Sequence, residues 1–354
     1  MELKKRKQTY EPITDIKSKK IPGKEHPYSN YISWAFMKQL REHHDTRKVY
    51  DVNPYVEVFQ FEKNFYGLFT HNIDGAGDVW MYLIVGPEKA MLIDTAYGLG
   101  DLDGLVREIT GNMPYIVVNT HTGPDHVLGN FRFDTVYCHE YEVWSVRNKC
   151  SKDCFDYFFD ENGNCKCIHF DKKDLPEYRD YELIGVPDGH IFNLGEDYDV
   201  ELIWTAGHAA GHAMYLDKKN RILISGDDLI SATNGVGNGP RPGDPYGKYS
   251  TIEAYHNQMR KLAFRNDEYD YIYGGHFAVG LESNVIIDIV ETAAKILEDP
   301  QNYDFKKERK RAQGTVTICC KYVPNFTVIS YNPEKGVYME QAQKIVEEYT
   351  RNKK

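Results

Sequence analysis

Several histidine and aspartate side chains of this chain stand directly behind apolar runs and close to glycines. The first of them lie in "NTHTGPDHVLGN", residues 119–130, which follows the apolar run at residues 115–118. The others follow "ELIWTAG", "RILISG" and "YDYIYGG", and the full set is His121, Asp125, His126, His208, Asp227 and His276. Imidazole with carboxylate is the ligand set favoured by zinc, iron and manganese. The recurrence of one strand-then-glycine context predicts that these side chains meet at one edge of a sheet and hold a metal there.

The spacing of apolar residues predicts the elements that position this set. "DVWMYLIV" and "KAMLIDT" predict a hairpin, and the repeat that starts at Leu102 predicts a helix before the strand at Tyr115. Further strands are expected at residues 199–204, 213–217, 221–225 and in "YDYIY", helices at 252–262 and 285–297, and a C-terminal hairpin from "TVTICCKY" and "FTVISY" before a last amphipathic helix. "HTGPDH" therefore leaves the end of a strand, where a rigid scaffold can hold side chains for chemistry.

Three segments fall outside this regular pattern. Residues 1–28 are polar and interrupted by prolines, which predicts an arm with little core of its own before a short helix at residues 32–40. Residues 145–190 are rich in Cys, Asp, Lys and Asn and are interpreted as an insertion. Residues 231–250 are rich in glycine and proline, and loops this long are usually functional lids or disordered segments. This loop and the N-terminal helix could cover the metal edge, where the 27 tyrosines would suit an apolar or aromatic compound.

The order "HTGPDH", "TAGHAAGH", "SGDDL" and "YGGH" resembles the metallo-β-lactamase superfamily, whose members carry an HxHxDH motif followed by a histidine, a bridging aspartate and a last histidine. The resemblance covers residues 65–300, including the first predicted hairpin. It implies the fold class α/β (α+β), a four-layer αββα sandwich with the metal site at one edge of the sheets. We therefore expect three parts: an N-terminal arm and helix (1–50), a metallo-β-lactamase-like domain (51–300), and a C-terminal hairpin and helix packed on that domain (301–354).

The resemblance also implies a ligand for each position of a two-metal site. His121 and His208 match the first metal position, whereas Asp125, His126 and His276 match the second. Asp227 matches the carboxylate that bridges the two metals. The departure is Gly123, which stands where the family has its second histidine.

Three interpretations of Gly123 remain open. In one, a single metal is held by the second group with Asp227, and His121 and His208 orient water or donate hydrogen bonds. In another, two metals bind and the first keeps an open position, as catalytic sites often do. In the third, the site is degenerate and the protein is a non-catalytic relative. His190, in "PDGHIFNLGE", is the best candidate for a replacement ligand or a substrate contact, while His212 and Asp228 are expected to be structural.

The composition limits the partners of the chain. With 354 residues and a net charge of −10, the chain has no excess of cations for a phosphate backbone, and its basic runs, including residues 306–311, are interpreted as solvated ends and a solvated helix face. No apolar stretch approaches the ~20 residues that span a bilayer, and no apolar signal region follows the charged N-terminus, so we expect a cytoplasmic protein. The clustered cysteines, Cys150, Cys154, Cys165 and Cys167, do not have the usual zinc spacing and are expected to be ordinary thiols. A small-molecule substrate is expected, and the chain could form a homo-oligomer.

These observations predict an enzyme: a hydrolase of a small organic ester, lactone, amide or thioester that uses a metal-activated water. The expected cofactor is one or two divalent ions, zinc first, with manganese or iron as alternatives. Asp125 is expected to hold the attacking water and accept its proton as the catalytic base. The alternatives are an iron-dependent oxidoreductase or dioxygenase on the same fold and a non-catalytic metal-binding relative.

Overall fold

Strands between residues 48 and 186 form one eight-stranded sheet. The computed structural model describes residues 14–21, 31–311 and 314–351, and elements are numbered in chain order. The strands of the first sheet are β2 (Lys48–Tyr50), β3 (Asn53–Glu62), β4 (Phe65–Thr70), β5 (Val79–Val85), β6 (Ala90–Ile93), β7 (Tyr115–Val118), β8 (Thr135–His139) and β10 (Glu182–Val186). Their order in space is β10-β8-β7-β6-β5-β4-β3-β2. Neighbours from β2 to β6 are antiparallel, whereas β6, β7, β8 and β10 run parallel.

Strands from the second half form a six-stranded sheet. They are β11 (Ile191–Asn193), β12 (Asp199–Trp204), β13 (Ala213–Asp217), β14 (Ile222–Gly226), β16 (Tyr271–Gly274) and β17 (Leu281–Glu282). Their order is the order of the sequence, and only β14 and β16 pair in parallel. The predicted hairpin at β5 and β6 and the predicted strands at β7, β12, β13, β14 and β16 are confirmed.

The two sheets pack face to face through a shared aromatic and aliphatic core. Trp80 and Tyr82 of the first sheet lie in one cluster with Val200 and Tyr215 of the second. The Tyr82 hydroxyl donates to the Gly274 carbonyl oxygen at 2.6 Å, so this buried polar group is satisfied across the sheets. Strands that are covered on both faces read as continuous apolar runs, which explains "VWMYLIV" in β5.

Helices cover the outer face of each sheet. The helices are α1 (Tyr31–His43), α2 (Leu102–Thr110), α3 (Pro124–Val127), α4 (Val143–Lys149), α5 (Ile252–Ala263), α6 (Val285–Glu298) and α7 (Met339–Arg351). Leu105 of α2 and Val146 of α4 pack on the first sheet, and Tyr255 of α5 and Ile289 of α6 pack on the second. The layers therefore follow the order helix, sheet, sheet, helix, and the predicted αββα sandwich is confirmed. Within the described residues, no helix combines the length and apolar character that crossing a bilayer requires.

Residues 231–250 have structure of their own, contrary to the expectation of an irregular loop. They contain strand β15 (Thr233–Asn234), which runs parallel to β20 (Thr327–Tyr331) of the C-terminal hairpin. The hairpin partner of β20 is β19 (Gly314–Val323), and β18 (Phe305–Arg311) completes this third sheet. The Gly237 N–H donates to the Gly207 carbonyl oxygen at 3.1 Å, which fastens the segment to the loop that carries His208.

The basic run at residues 306–311 also differs from its prediction. It belongs to strand β18 instead of a helix face, because Lys307 pairs across the third sheet with Ile318. The run consists of charged residues without an apolar alternation that would indicate a strand, and its pairing partner lies in a different segment. The remaining short strands, β1 (Lys19–Lys20) and β9 (Ile168–His169), form a two-stranded sheet. The predicted insertion thus contributes β9, β10 and most of α4, and its cysteines Cys150 and Cys154 join the core beside the first sheet.

His139, at the end of β8, makes a pH-dependent contribution to stability that can be measured. Its ring stacks on Trp204 at a centroid distance of 5.6 Å and is 2% exposed. Burial lowers the pKa of His139 to about 4 from its ordinary value of 6.5. Between these values the unfolded chain binds a proton at this residue and the folded chain does not, so stability decreases as the pH falls through this window.

We expect His139→Phe to remove this part of the acid sensitivity. Between about pH 7.5 and about pH 5, the free energy of unfolding of the wild type should fall by about 2 kcal/mol more than that of the variant. This difference is expected because about pH 5 lies about 1.5 pH units below the pKa of the histidine in the unfolded chain. Urea unfolding of both proteins at the two pH values measures the difference. Parallel pH profiles would show that His139 does not carry the effect.

Candidate metal centre

The six predicted ligands come together at one edge of the two-sheet sandwich. His121 follows β7, and Asp125 and His126 lie in the short helix α3 behind it. The remaining three follow the ends of β12, β14 and β16, and are His208, Asp227 and His276. The strand-end context seen in the sequence thus corresponds to one location in space. The structure brings all six residues together.

The ligand atoms form two groups. His121, His208 and Asp227 offer one group, in which the ligand atoms lie within 4.8 Å of one another. Asp125, His126 and His276 offer a second group within the same limit. Metal–ligand distances near 2.0–2.2 Å around one ion require donor atoms to approach one another this closely. Each group therefore has the dimensions of a three-ligand metal position.

Asp227 lies between the two groups. Its Oδ2 is 3.9 Å from the Nε2 atoms of both His121 and His208 and 3.3 Å from Nε2 of His276. Its Oδ1 is 3.5 Å from Nε2 of His126. One carboxylate thus faces imidazoles of both groups, which is the arrangement required of a bridging ligand.

Three donor atoms of the site are buried without a hydrogen-bond partner among the described residues. They are Nε2 of His121, Nδ1 of His208 and Oδ1 of Asp227. A buried polar atom without a partner costs about 1–3 kcal/mol, so native structures seldom keep several of them side by side. A divalent ion bound beside Asp227 would satisfy Nε2 of His121 and Oδ1 of Asp227, and the side chains present therefore fit a metal.

In three of the four imidazoles near Asp227, those of His121, His126 and His276, the surrounding protein holds the other nitrogen. Nδ1 of His126 lies 2.8 Å from Oδ2 of Asp94, and Nδ1 of His276 lies 2.9 Å from the backbone oxygen of Asp78. Nδ1 of His121 lies 3.0 Å from Oγ1 of Thr120, which itself donates to Asp94. Contacts of this kind orient a ligating imidazole and hold the proton on Nδ1. In all three residues, Nε2 is left to face the site.

The charges within the two groups differ. Burial opposes the charged form of His276, but Asp227 and Asp125 outweigh it and raise its pKa well above the ordinary value. Asp94 and Asp227 likewise raise the pKa of His126 to about 9 against the effect of burial. By contrast, burial and the neighbouring His126 hold the pKa of His121 well below its ordinary value. The carboxylates therefore favour the charged forms of the two imidazoles in the second group, but they do not do so for His121 in the first group.

Asp125 is held as a carboxylate by its neighbours. Asn72 donates from Nδ2 to Oδ2 of Asp125 at 2.7 Å. Burial disfavours the charged form, but His126 and His276 outweigh it and lower the pKa of Asp125 below its ordinary value. Oδ1 takes no part in the Asn72 hydrogen bond and lies 3.9 Å from Nε2 of His126, and Asp125 lines the cavity described below.

Gly123 lies directly against both groups. A Cβ atom at this position would be 2.7 Å from Cδ2 of His126, 2.8 Å from Nε2 of His121 and 2.9 Å from Oδ1 of Asp125. Its backbone is extended, with φ −70° and ψ 138°, so the conformation itself would allow any residue. The space that a side chain would occupy is instead filled by the ligand rings, and the glycine allows them to approach one another.

His190, the candidate for a replacement ligand or a substrate contact, is not brought together with the six ligands. It belongs to neither group and lies in the turn before β11, where its ring contacts Phe192 at 4.6 Å. His212 and Asp228 are structural, as predicted: Nδ1 of His212 lies 2.9 Å from Oδ2 of Asp228, and Nε2 of His212 accepts the N–H of Asp227. The clustered cysteines are free thiols and form no metal group within the part of the chain that the structure describes.

Sequence reasoning missed several residues that support the ligands. Asp94 ends the apolar run "AMLID" and could have been found by the same strand-end signal as Asp227. Glu142 is fully buried and accepts the Gly211 N–H at 2.7 Å and the Thr122 hydroxyl, which joins the His121 loop to the loop of His212. No local pattern marks Glu142, because its partners lie 20 and 69 residues away along the chain.

The site opens into a cavity of about 340 Å³. Five of the six ligands line it, and its apolar wall is formed by Phe277 and Ile318. No tyrosine and no α1 residue is among the described residues that line it, so the expectation of a tyrosine-rich pocket covered by the N-terminal helix is wrong. Its size suits a small molecule.

Known proteins resemble this chain in sequence and in fold. Acyl-coenzyme A thioesterase MBLAC2 from Bos taurus and the same-named protein from Homo sapiens are each 25% identical to it over 182 residues. That overlap covers 48% of this chain and 62% of the relatives. Among solved structures, a metallo-beta-lactamase from Pontibacter korlensis has a TM-score of 0.48 and 14% identity, covering 68% of this chain and 99% of that one. A metallo-beta-lactamase family protein from Thermus thermophilus has a TM-score of 0.45 and 19% identity, covering 70% and 85%.

A sequence model that describes an entire protein family identifies the family of this chain. The model of the metallo-beta-lactamase superfamily matches residues 74–276, which include every predicted ligand from His121 to His276. The match spans more than half of the chain. This protein therefore belongs to the metallo-beta-lactamase superfamily, with a glycine at position 123 of its first ligand motif.

Proposed function

We propose that this protein is a metal-dependent hydrolase that cleaves a small thioester. The observation that carries the proposal is the convergence of two ligand groups on Asp227 beside a cavity of about 340 Å³. The names of the similar thioesterases support the choice of a thioester over an ester, lactone or amide. A thiolate is also a better leaving group than an alkoxide at neutral pH, because a thiol has a pKa near 8.5.

The residues that would hold the metal are those of the two groups. Asp125, His126 and His276 would hold one ion, and His121 and His208 would hold a second, with Asp227 between them. Zinc is the first expectation from this ligand set, and manganese and iron are the alternatives. A divalent ion bound here would polarise the carbonyl oxygen and lower the pKa of water toward ~7.

The protein's own side chains have separate tasks in this reaction. Asp125 would orient the attacking water through its free oxygen and accept the proton that the water loses. Asn72, by donating to the other oxygen of Asp125 at 2.7 Å, would keep that carboxylate in position. Asp94 and the Asp78 backbone would hold the His126 and His276 rings in the orientation that exposes Nε2. Phe277 and Ile318 would exclude water from one side of the substrate.

Metal analysis and a thioester assay test this proposal together. Protein purified without added metal should contain zinc or manganese, and it should release thiol from S-acetyl-N-acetylcysteamine, a neutral thioester. Removing the metal with a chelator should lower the rate by about 10³-fold, since a bound ion contributes several kcal/mol to such a reaction, and added metal should restore it.

Other outcomes of this experiment would contradict the proposal. Bound iron with uptake of O₂ and no hydrolysis would favour an oxidoreductase on the same fold. Turnover that survives complete metal removal would exclude metal dependence. Hydrolysis of p-nitrophenyl acetate or of a lactone with a higher kcat/KM than any thioester would identify a different substrate class.

A further inference from the structure

Three cationic side chains from separate segments line the cavity beside the ligand groups. Lys149 is the last residue of α4, Arg241 lies in the segment at residues 231–250, and Lys307 lies in β18. The chain as a whole is acidic, with 53 carboxylate and 43 basic side chains, so a general excess of cations does not explain this gathering. Lys307 also lies outside the residues matched by the family model, which end at residue 276.

Lys149 is the most informative of the three. It is only partly exposed, yet it forms no ion pair with a described residue. Burial and the neighbouring guanidinium of Arg241 lower its pKa, and the Asp125 carboxylate offsets only part of this effect. A half-buried cation that faces a second cation without a counter-ion is unfavourable, because desolvation and like-charge repulsion add to each other.

Arg241 is exposed, in contrast to Lys149, and lies in a segment that pairs with the third sheet. It forms no ion pair with a described residue. Burial lowers the pKa of His208 in the first ligand group, and the positive charge of Arg241 adds to this effect. The segment that carries Arg241 is held by the pairing of Thr233 with Val328 in β20. On the same sheet, Lys307 pairs with Ile318, and both side chains line the cavity. One added sheet therefore positions two of the three cations.

We propose that Lys149, Arg241 and Lys307 form an anion subsite that binds an oxyanion, a phosphate or a carboxylate, carried by the substrate. Such a group would offset the repulsion between the cations and make charge-assisted hydrogen bonds with them. Because Asp125 lines the same small cavity, the anionic group and the reacting bond lie within one small molecule. That the bound molecule is a thioester rests on the function proposed above; the preference for an anion does not.

Binding of substrate analogues that cannot be hydrolysed tests the subsite independently of catalysis. The probes are the S-butyl thioethers of N-acetylcysteamine, which is neutral, of 3-mercaptopropionate, a carboxylate, and of 2-mercaptoethyl phosphate. Calorimetric titration of the metal-loaded wild type should give at least one anionic probe that binds about 10-fold or more tightly than the neutral probe. Which of the two anions binds more tightly identifies the oxyanion.

Variants then assign the effect to these residues. Lys149→Met and Arg241→Gln should each weaken binding of the preferred anionic probe by about 10- to 100-fold. Lys149→Arg should keep most of the affinity, and Lys152→Met, a matched change at an exposed lysine outside the cavity, should keep all of it. Circular dichroism checks that the variants are folded.

Two results would overturn the subsite. One is equal affinity of the wild type for the neutral probe and both anionic probes. The other is unchanged anion binding in folded Lys149→Met and Arg241→Gln variants. The thioester assay tests the proposed reaction separately. If the protein binds the anionic probe but hydrolyses no thioester, the subsite is supported and the proposed reaction is excluded.

Discussion

Asp227→Ala is expected to abolish metal-dependent hydrolysis, with a loss of about 10³-fold or more in kcat/KM. Among the described residues, Asp227 is the one carboxylate within 3.9 Å of His121, His208 and His276. Its removal would take the shared ligand from both groups, and with it the carboxylate that lies 3.5 Å from Nε2 of His126 and 3.3 Å from Nε2 of His276. The rate with a thioester and the metal content after gel filtration measure the two effects.

Two further variants separate ligation from folding. Asp227→Asn has the same shape but no charge and should lose nearly as much activity as the alanine variant. Asp199→Ala removes an exposed aspartate from β12, the strand that leads to His208, and should keep both activity and metal. Full turnover by a folded Asp227→Ala protein would refute the site described here.

Gly123→Ala is expected to weaken metal binding by about 10- to 100-fold, although it adds only one methyl group. That carbon would lie 2.7–2.9 Å from His126, His121 and Asp125, and each of those side chains is buried or held by a second contact. The rings would have to move, and displaced ligands bind a metal less well. Competition with a chromophoric chelator measures the affinity of each protein for zinc.

Gly235→Ala provides a matched control in the same cavity. A Cβ atom at Gly235 would meet its nearest neighbours at 3.8–3.9 Å, an ordinary contact distance, so metal affinity should not change. The same titration of the wild type counts the ions. One tightly bound ion with a second weak one would fit the charge difference between the groups, whereas two equally tight ions would show that Gly123 costs the first position nothing. Unchanged zinc affinity in Gly123→Ala would show that the ligand rings can move freely.

Long-range pairing explains where prediction from the sequence failed. Residues 231–250 are rich in glycine and proline and carry no apolar repeat, so no local rule predicts β15. The strand forms because Thr233 and Asn234 pair with β20, nearly 100 residues later in the chain. The run at residues 306–311 was misread for the same reason, since its strand is defined by pairing with β19. Such pairings depend on the partner and leave little trace in the local sequence.

The local sequence predicts the six candidate ligands and the edge of the sandwich at which the structure brings them together. Each ligand from His121 to His276 follows a buried strand, and the ends of neighbouring strands share one sheet edge, so the local pattern carried this information. No local pattern indicates that Asp227 faces both groups, that Gly123 leaves room for the rings or that His190 lies elsewhere, and these features follow from the folded chain. The tertiary structure also decided that Lys149, Arg241 and Lys307 share one cavity. Side-chain distances across the fold depend on packing between distant segments, whereas strands and turns are indicated by residues that are neighbours in the sequence.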